Sequence, residues 1–138
     1  MKKIVLLILS VTLVLGLCLS SCASKELSKY YSEKDNYIEV TGIISDISYN
    51  EDSSAIYLSF SELDPKLDDV CFKIAGKNLQ IVQNNGIDEK IKVGDTLDFV
   101  TAPKYFGDGY IMPIAAVSLG DEEILEFEEG FNNLQELY

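Results

Sequence analysis

Residues 37–48, YIEVTGIISDIS, decide how the rest of the chain is read. Half of these residues are β-branched, a composition that suits a pleated, half-buried surface. The apolar positions Ile38, Val40 and Ile44 fall in step on one face, and Gly42 stands between them. A glycine inside a long strand marks a bulge or a sharp coil, where one strand serves two parts of a sheet. The stretch therefore predicts a long, bent first strand.

Downstream, the polar turn Tyr49 to Ser54 leads into Ala55 to Leu63, which alternates cleanly. Ile56, Leu58 and Phe60 share one face and Tyr57, Ser59 and Ser61 the other, the pattern of a half-buried second strand. Asp64-Pro65 and Asp68-Asp69 form a loop before a short third strand, Val70 to Ile74. The period then changes: Leu79 and Val82 are three apart and Asn85-Gly86 is a helix stop, which predicts a short helix. Lys92-Val93-Gly94-Asp95 is a tight turn into a fourth strand, Thr96 to Lys104, and Gly107-Asp108-Gly109 closes a hairpin onto a fifth, Tyr110 to Leu119. Pro113 cannot donate to a sheet ladder, which places it at an edge or a bulge.

This order, with the helix between the third and fourth strands, predicts a mainly β chain built as a five-stranded OB-fold Greek-key barrel. A C-terminal helical or irregular extension follows it. Residues 37–121 resemble the tRNA-anticodon-binding-like group of OB-fold domains found in small bacterial lipoproteins and exported proteins. The likeness rests on Val40-Thr41-Gly42-Ile43-Ile44, Ile56-Tyr57-Leu58, Cys71-Phe72-Lys73-Ile74, Val93-Gly94-Asp95-Thr96-Leu97 and Gly120-Asp121. These are spacing and turn residues, so the resemblance implies a shape and no catalytic residue.

The N-terminus supplies an address. Lys2 and Lys3 precede an apolar run from Ile4 to Leu19, and Leu19-Ser20-Ser21-Cys22 resembles the bacterial lipobox. Small residues before Cys22 admit a signal peptidase, whereas Cys18 follows the bulky Leu17 and departs from the pattern. The alternative, an uncleaved membrane anchor, has an apolar run of about 16 residues, short of the usual span. The expected organisation is a signal peptide at 1–21, a tether at 22–36 lipidated at Cys22, the barrel at 37–121 and an extension at 122–138. Two or more acyl chains on Cys22 give stable attachment to the outer side of a bacterial membrane. The tether has its own helical alternative, one or two turns through Leu27, Tyr30 and Tyr31.

Charge and chemistry narrow the function classes. After the leader, nine lysines oppose 23 acids, a balance of −14 that repels phosphates, so no nucleic-acid partner is expected. The chain has no histidine and no arginine, which removes Ser-His and Cys-His nucleophile systems and the commonest zinc ligand. Cys71 is the one thiol left beyond Cys22 and reads as a strand residue. No catalytic residue, no metal site and no cofactor is expected.

OB-folds bind ligands on the face of strands two and three and between the loops joining strands one to two and four to five. Those regions hold Tyr49, Tyr57, Lys104, Tyr105, Phe106 and Tyr110, a set able to stack on and hydrogen-bond a protein, peptide or glycan of the cell envelope. The competing reading is that these tyrosines cover the sheet's own edges. The class-level rival is an enzyme using carboxylates or calcium, with Asp64, Asp68 and Asp69 or Asp121, Glu122 and Glu123 as its acids. Oligonucleotide binding is the third possibility, disfavoured by charge. In the extension, Ile124, Phe127, Phe131, Leu134 and Tyr138 form a stripe at steps of three and four, with Gly130 costing about 1 kcal/mol of helix propensity.

Overall fold

The long first strand is bent where its sequence predicts, but the glycine has a different task. In the computed structural model, which describes residues 25–67, 71–103 and 111–138, β1 (Ile38–Tyr49) pairs with β4 (Thr96–Thr101) through Ile38 to Ile43. It pairs with β2 (Ala55–Asp64) through Thr41 to Tyr49. The β1–β2 register slips between Ile43 and Ile44 and again before Asp46, so the bulge follows Gly42 and does not sit on it. A Cβ at Gly42 would lie 2.6 Å from Phe60 Cδ1 and 2.9 Å from Leu63 Cδ2. Gly42 lets the strand pass directly against the Phe60 ring.

β3 (Cys71–Ala75) continues antiparallel from β2, and its other edge pairs in parallel with β5 (Ile111–Leu119), from Cys71↔Ile111 to Lys73↔Pro113. That single parallel pairing closes the sheet into a ring, the OB-type barrel. α2 (Gly76–Asn84) and α3 (Ile87–Lys90) occupy the β3–β4 connection. Gly86 between them has φ +81°, the left-handed conformation that stops α2 as its Asn-Gly signal predicts. Pro113 stands beside a bulge, since Thr101 pairs with Ile114 while Val100 pairs with Ala116.

The core is aliphatic with one aromatic cluster. Val40, Ile44, Ile56, Leu58, Ile74, Leu97, Met112, Ile114 and Val117 are buried, as the alternation requires. Phe72 packs edge-on to Phe60 and Phe99 at 5.4 and 4.8 Å, and Phe60 stacks on Phe99 at 4.8 Å. Such ring pairs add about 0.5–1.5 kcal/mol beyond the area they bury.

The C-terminal segment departs from the five-strand expectation. Glu122–Leu125 is a sixth strand, β6, paired antiparallel with β5, and Ile124 and Leu125 are buried in the barrel core. The sheet therefore runs past Asp121, and the apolar stripe divides: Ile124 belongs to a strand and the rest to α4 (Phe127–Leu137). A period of three to four cannot register a change of element after its first member. α4 buries Phe131 and Leu134 and lies so close to β5 that a Cβ at Gly130 would be 1.9 Å from the Ala115 carbonyl oxygen. The propensity lost at Gly130 is what permits this approach.

Residues 25–31 adopt the helical alternative and form α1, closed by Ser32 Oγ donating to the Lys29 carbonyl at 2.7 Å. They do not hang free. Tyr31 is 3% exposed, its ring 4.7 Å from that of Tyr138, and Gln135 Nε2 donates to its carbonyl at 2.8 Å. Tyr37 Oη donates to the same carbonyl while its ring meets Phe127 and Phe131, and Lys34 pairs with Glu128 at 2.6 Å. The apolar stripe Leu27, Tyr30 and Tyr31, too short to argue a helix from sequence, gains its partner from α4.

Candidate functional site

The outer surface of β1, β2 and β3 carries two rows of side chains set by register. Ser48, Tyr57, Lys73 and Pro113 are successive cross-strand partners on β1, β2, β3 and β5. Asp46 pairs with Ser59 beside them, and Cys71 lies against Ser59. Each alternates with a buried neighbour, Leu58, Phe72 or Ile74, so the core residues fix the outward direction of the others. Tyr57, Ser59, Cys71 and Lys73 are all half-buried, and Ser48 and Asp46 are exposed.

The last turn of α4 borders this surface. Lys73, Ala75, Pro113, Leu134, Leu137 and Tyr138 line a pocket of about 110 Å³. Burial, together with the nearby Tyr57, pushes the ionisation of Tyr138 upward. The platform thus holds two tyrosines, one lysine ammonium and two serine hydroxyls, a set suited to stacking and hydrogen bonding. It holds no activated nucleophile. Burial foremost pushes the Cys71 thiol up, and its contact with the Phe72 carbonyl is long, at 3.8 Å. A reactive thiolate requires the opposite shift.

Of the residues singled out in the sequence, Tyr57 lies on the platform. Tyr49 does not join it: paired with Ile56 at the end of β1, it sends its hydroxyl to Asp88 Oδ1 of α3. The Asp88 carboxylate accepts that proton and opposes phenolate charge, pushing Tyr49 up to about 12. Lys104, Tyr105, Phe106 and Tyr110 lie outside the described residues, as does Cys22. Sequence reasoning missed Lys73 and Tyr138. Alternation in Phe72-Lys73-Ile74 signals the outward lysine, but nothing local places Tyr138 beside Tyr57.

The turn Asn50 to Ser54 at one end of the platform is internally bonded. Asn50 Oδ1 accepts from the Ala55 amide at 2.9 Å and Asn50 Nδ2 donates to Ser54 Oγ at 2.7 Å. Donation from the Ser54 hydroxyl and amide also holds the Asp52 carboxyl below its usual range.

A second groove, of about 350 Å³, crosses the outer side of β1, β4 and β5. Its rim is Glu39, Thr41, Asp98 and Ser118, with Thr41 Oγ1 donating to Asp98 Oδ1 at 2.5 Å. It offers carboxylates and no exposed ring.

Among the described residues no group of three or more acids or cysteines could hold a metal ion, and no helix is long and apolar enough to cross a membrane. Of the acidic clusters, Asp68 and Asp69 are outside the described residues, and Glu122 is taken by an ion pair with Lys90. No protein-family profile, no curated protein and no solved structure matches the chain.

Proposed function

We propose that this chain is an extracytoplasmic bacterial lipoprotein whose OB-type barrel is a non-enzymatic binding module for a protein, peptide or glycan of the cell envelope. The lipobox-like Leu19-Ser20-Ser21-Cys22 supports acylation at Cys22 and loss of residues 1–21. The observation that carries the binding reading is the row Ser48, Tyr57 and Lys73, joined by Tyr138 at its margin. It occupies the surface on which OB-folds take ligands. The resemblance to the tRNA-anticodon-binding-like group supports the barrel only. A mature charge of −14 argues against the nucleic-acid ligand that the group's name suggests.

Two measurements test the reading separately. Cys22→Ser should abolish uptake of labelled lipid and release the protein from membranes; a variant that keeps both overturns the lipoprotein assignment. For binding, envelope material crosslinked to the intact lipoprotein is compared between wild type, Tyr57→Ala, Lys73→Ala and Thr41→Ala. Capture should be lost in the first two variants and kept in the third, whose change lies in the acidic groove. Unchanged capture by Tyr57→Ala and Lys73→Ala overturns the assignment of the platform.

A further inference from the structure

The packing of α1 alters how such a protein would stand on its membrane. Only Ala23 and Ser24 separate Cys22 from the first described residue of α1. Three residue steps span at most about 11 Å, against about 45 Å for residues 23–36 fully extended, the reach of the tether that the sequence predicts. The rest of that stretch is consumed by α1 and by its contacts with α4 through Tyr31, Gln135 and Tyr138. The barrel has no slack with which to move away from an acylated Cys22.

The side of α1 turned away from α4 has its own chemistry. Tyr31 faces the protein, and one helical turn of 3.6 residues puts Lys25 and Lys29 together on the opposite side, where both are exposed. Glu26 is exposed beside them, so residues 25–31 carry a net charge of +1 within a mature chain at −14. Two of the three acids of α4 are paired: Glu128 with Lys34 and Glu136 with Lys77 at 2.5 Å.

Resting on the proposed acylation of Cys22, we propose that α1 is a membrane-seating helix: it lays Lys25 and Lys29 on the phosphates of anionic lipid headgroups and holds the barrel against the bilayer. Each lysine held near an anionic surface adds a small attraction, a supplement to acyl chains that already anchor the protein.

The experiment uses the full-length lipidated protein in vesicles of phosphatidylethanolamine and phosphatidylglycerol that carry a quencher on their headgroups. Fluorophores are placed singly at Glu26→Cys or Val93→Cys in a Cys71→Ser background. Val93 is exposed in the turn before β4, whose start pairs with Ile43, five strand residues and about 17 Å from Ile38. The label at 26 should be quenched and the label at 93 should not, and the double change Lys25→Glu and Lys29→Glu should remove the quenching at 26. Equal quenching at 26 and 93 with lipid present on Cys22 overturns the seating and leaves the anchor standing. Quenching at 26 that survives the double change overturns the role of the lysines. A chain that takes up no lipid at Cys22 overturns the anchor, and the seating with it.

Discussion

The barrel and the helical seam that wraps it are held together by different physics. Inside the barrel, aliphatic side chains and the Phe60, Phe72 and Phe99 cluster meet without a polar partner, and burial is proportional to area and indifferent to direction. The seam of α1, α2 and α4 depends on placed groups. Asn78, buried, donates to the Gly130 carbonyl at 3.0 Å and accepts from Asn133 at 2.9 Å. Asn85 Nδ2 donates to the Ile124 carbonyl at 2.8 Å, and Gln135 holds Tyr31. A non-directional core tolerates exchange of one apolar residue for another of similar volume, whereas a seam that adds single hydrogen bonds and one close backbone contact to its ring packing tolerates less.

Three changes would sharpen or break this contrast. The largest effect belongs to the barrel: Phe72→Ala removes a ring that is 0% exposed and touches two others, and should cost about 3–5 kcal/mol. Denaturant unfolding should show α4 and the barrel lost together, and a normal midpoint would mean that the aromatic cluster is peripheral. Gly130→Ala comes next. Its Cβ would sit 1.9 Å from a backbone oxygen, so α4 must move, at a cost of about 1–3 kcal/mol or more. Limited proteolysis should now remove α1 and α4 while the barrel persists; cleavage no faster than in wild type would show that the seam yields easily.

The smallest effect is a pH dependence that should appear in the seam first. Burial foremost pushes the ionisation of Tyr31 and Tyr37 well above 10, so the folded chain keeps protons that the unfolded chain releases. Stability is therefore complete below pH 10 and falls as pH rises beyond it. Tyr31→Phe should flatten the decline of the thermal midpoint above pH 10. An unchanged slope would place the alkaline sensitivity elsewhere, for instance at Tyr49, whose bond to Asp88 acts in the same direction.

Much of the barrel was legible because its signals are local. Alternation in Ala55 to Leu63 assigns Ile56 and Leu58 to the core, and both are buried. Asn85-Gly86 stops a helix through the glycine's own backbone, whatever surrounds it. The candidate site was half legible for the same reason. Tyr57 and Lys73 face outward by parity, but Tyr49, grouped with Tyr57 by loop order alone, turns to Asp88.

What the sequence by itself determined is the set of elements that repeat with a period: the bent first strand, the alternating second, the short helix before the fourth, and the direction each side chain takes. The tertiary structure alone decided where unlike segments meet. It made β6 from the start of an apparently helical stripe, docked α1 on α4, and brought Tyr138 to the edge of the β2–β3 face. Those outcomes depend on contacts between residues far apart in the chain, and two glycines show why. Gly42 and Gly130 both break a local preference, and the reason for each is an atom supplied by another element, the Phe60 ring and the Ala115 carbonyl.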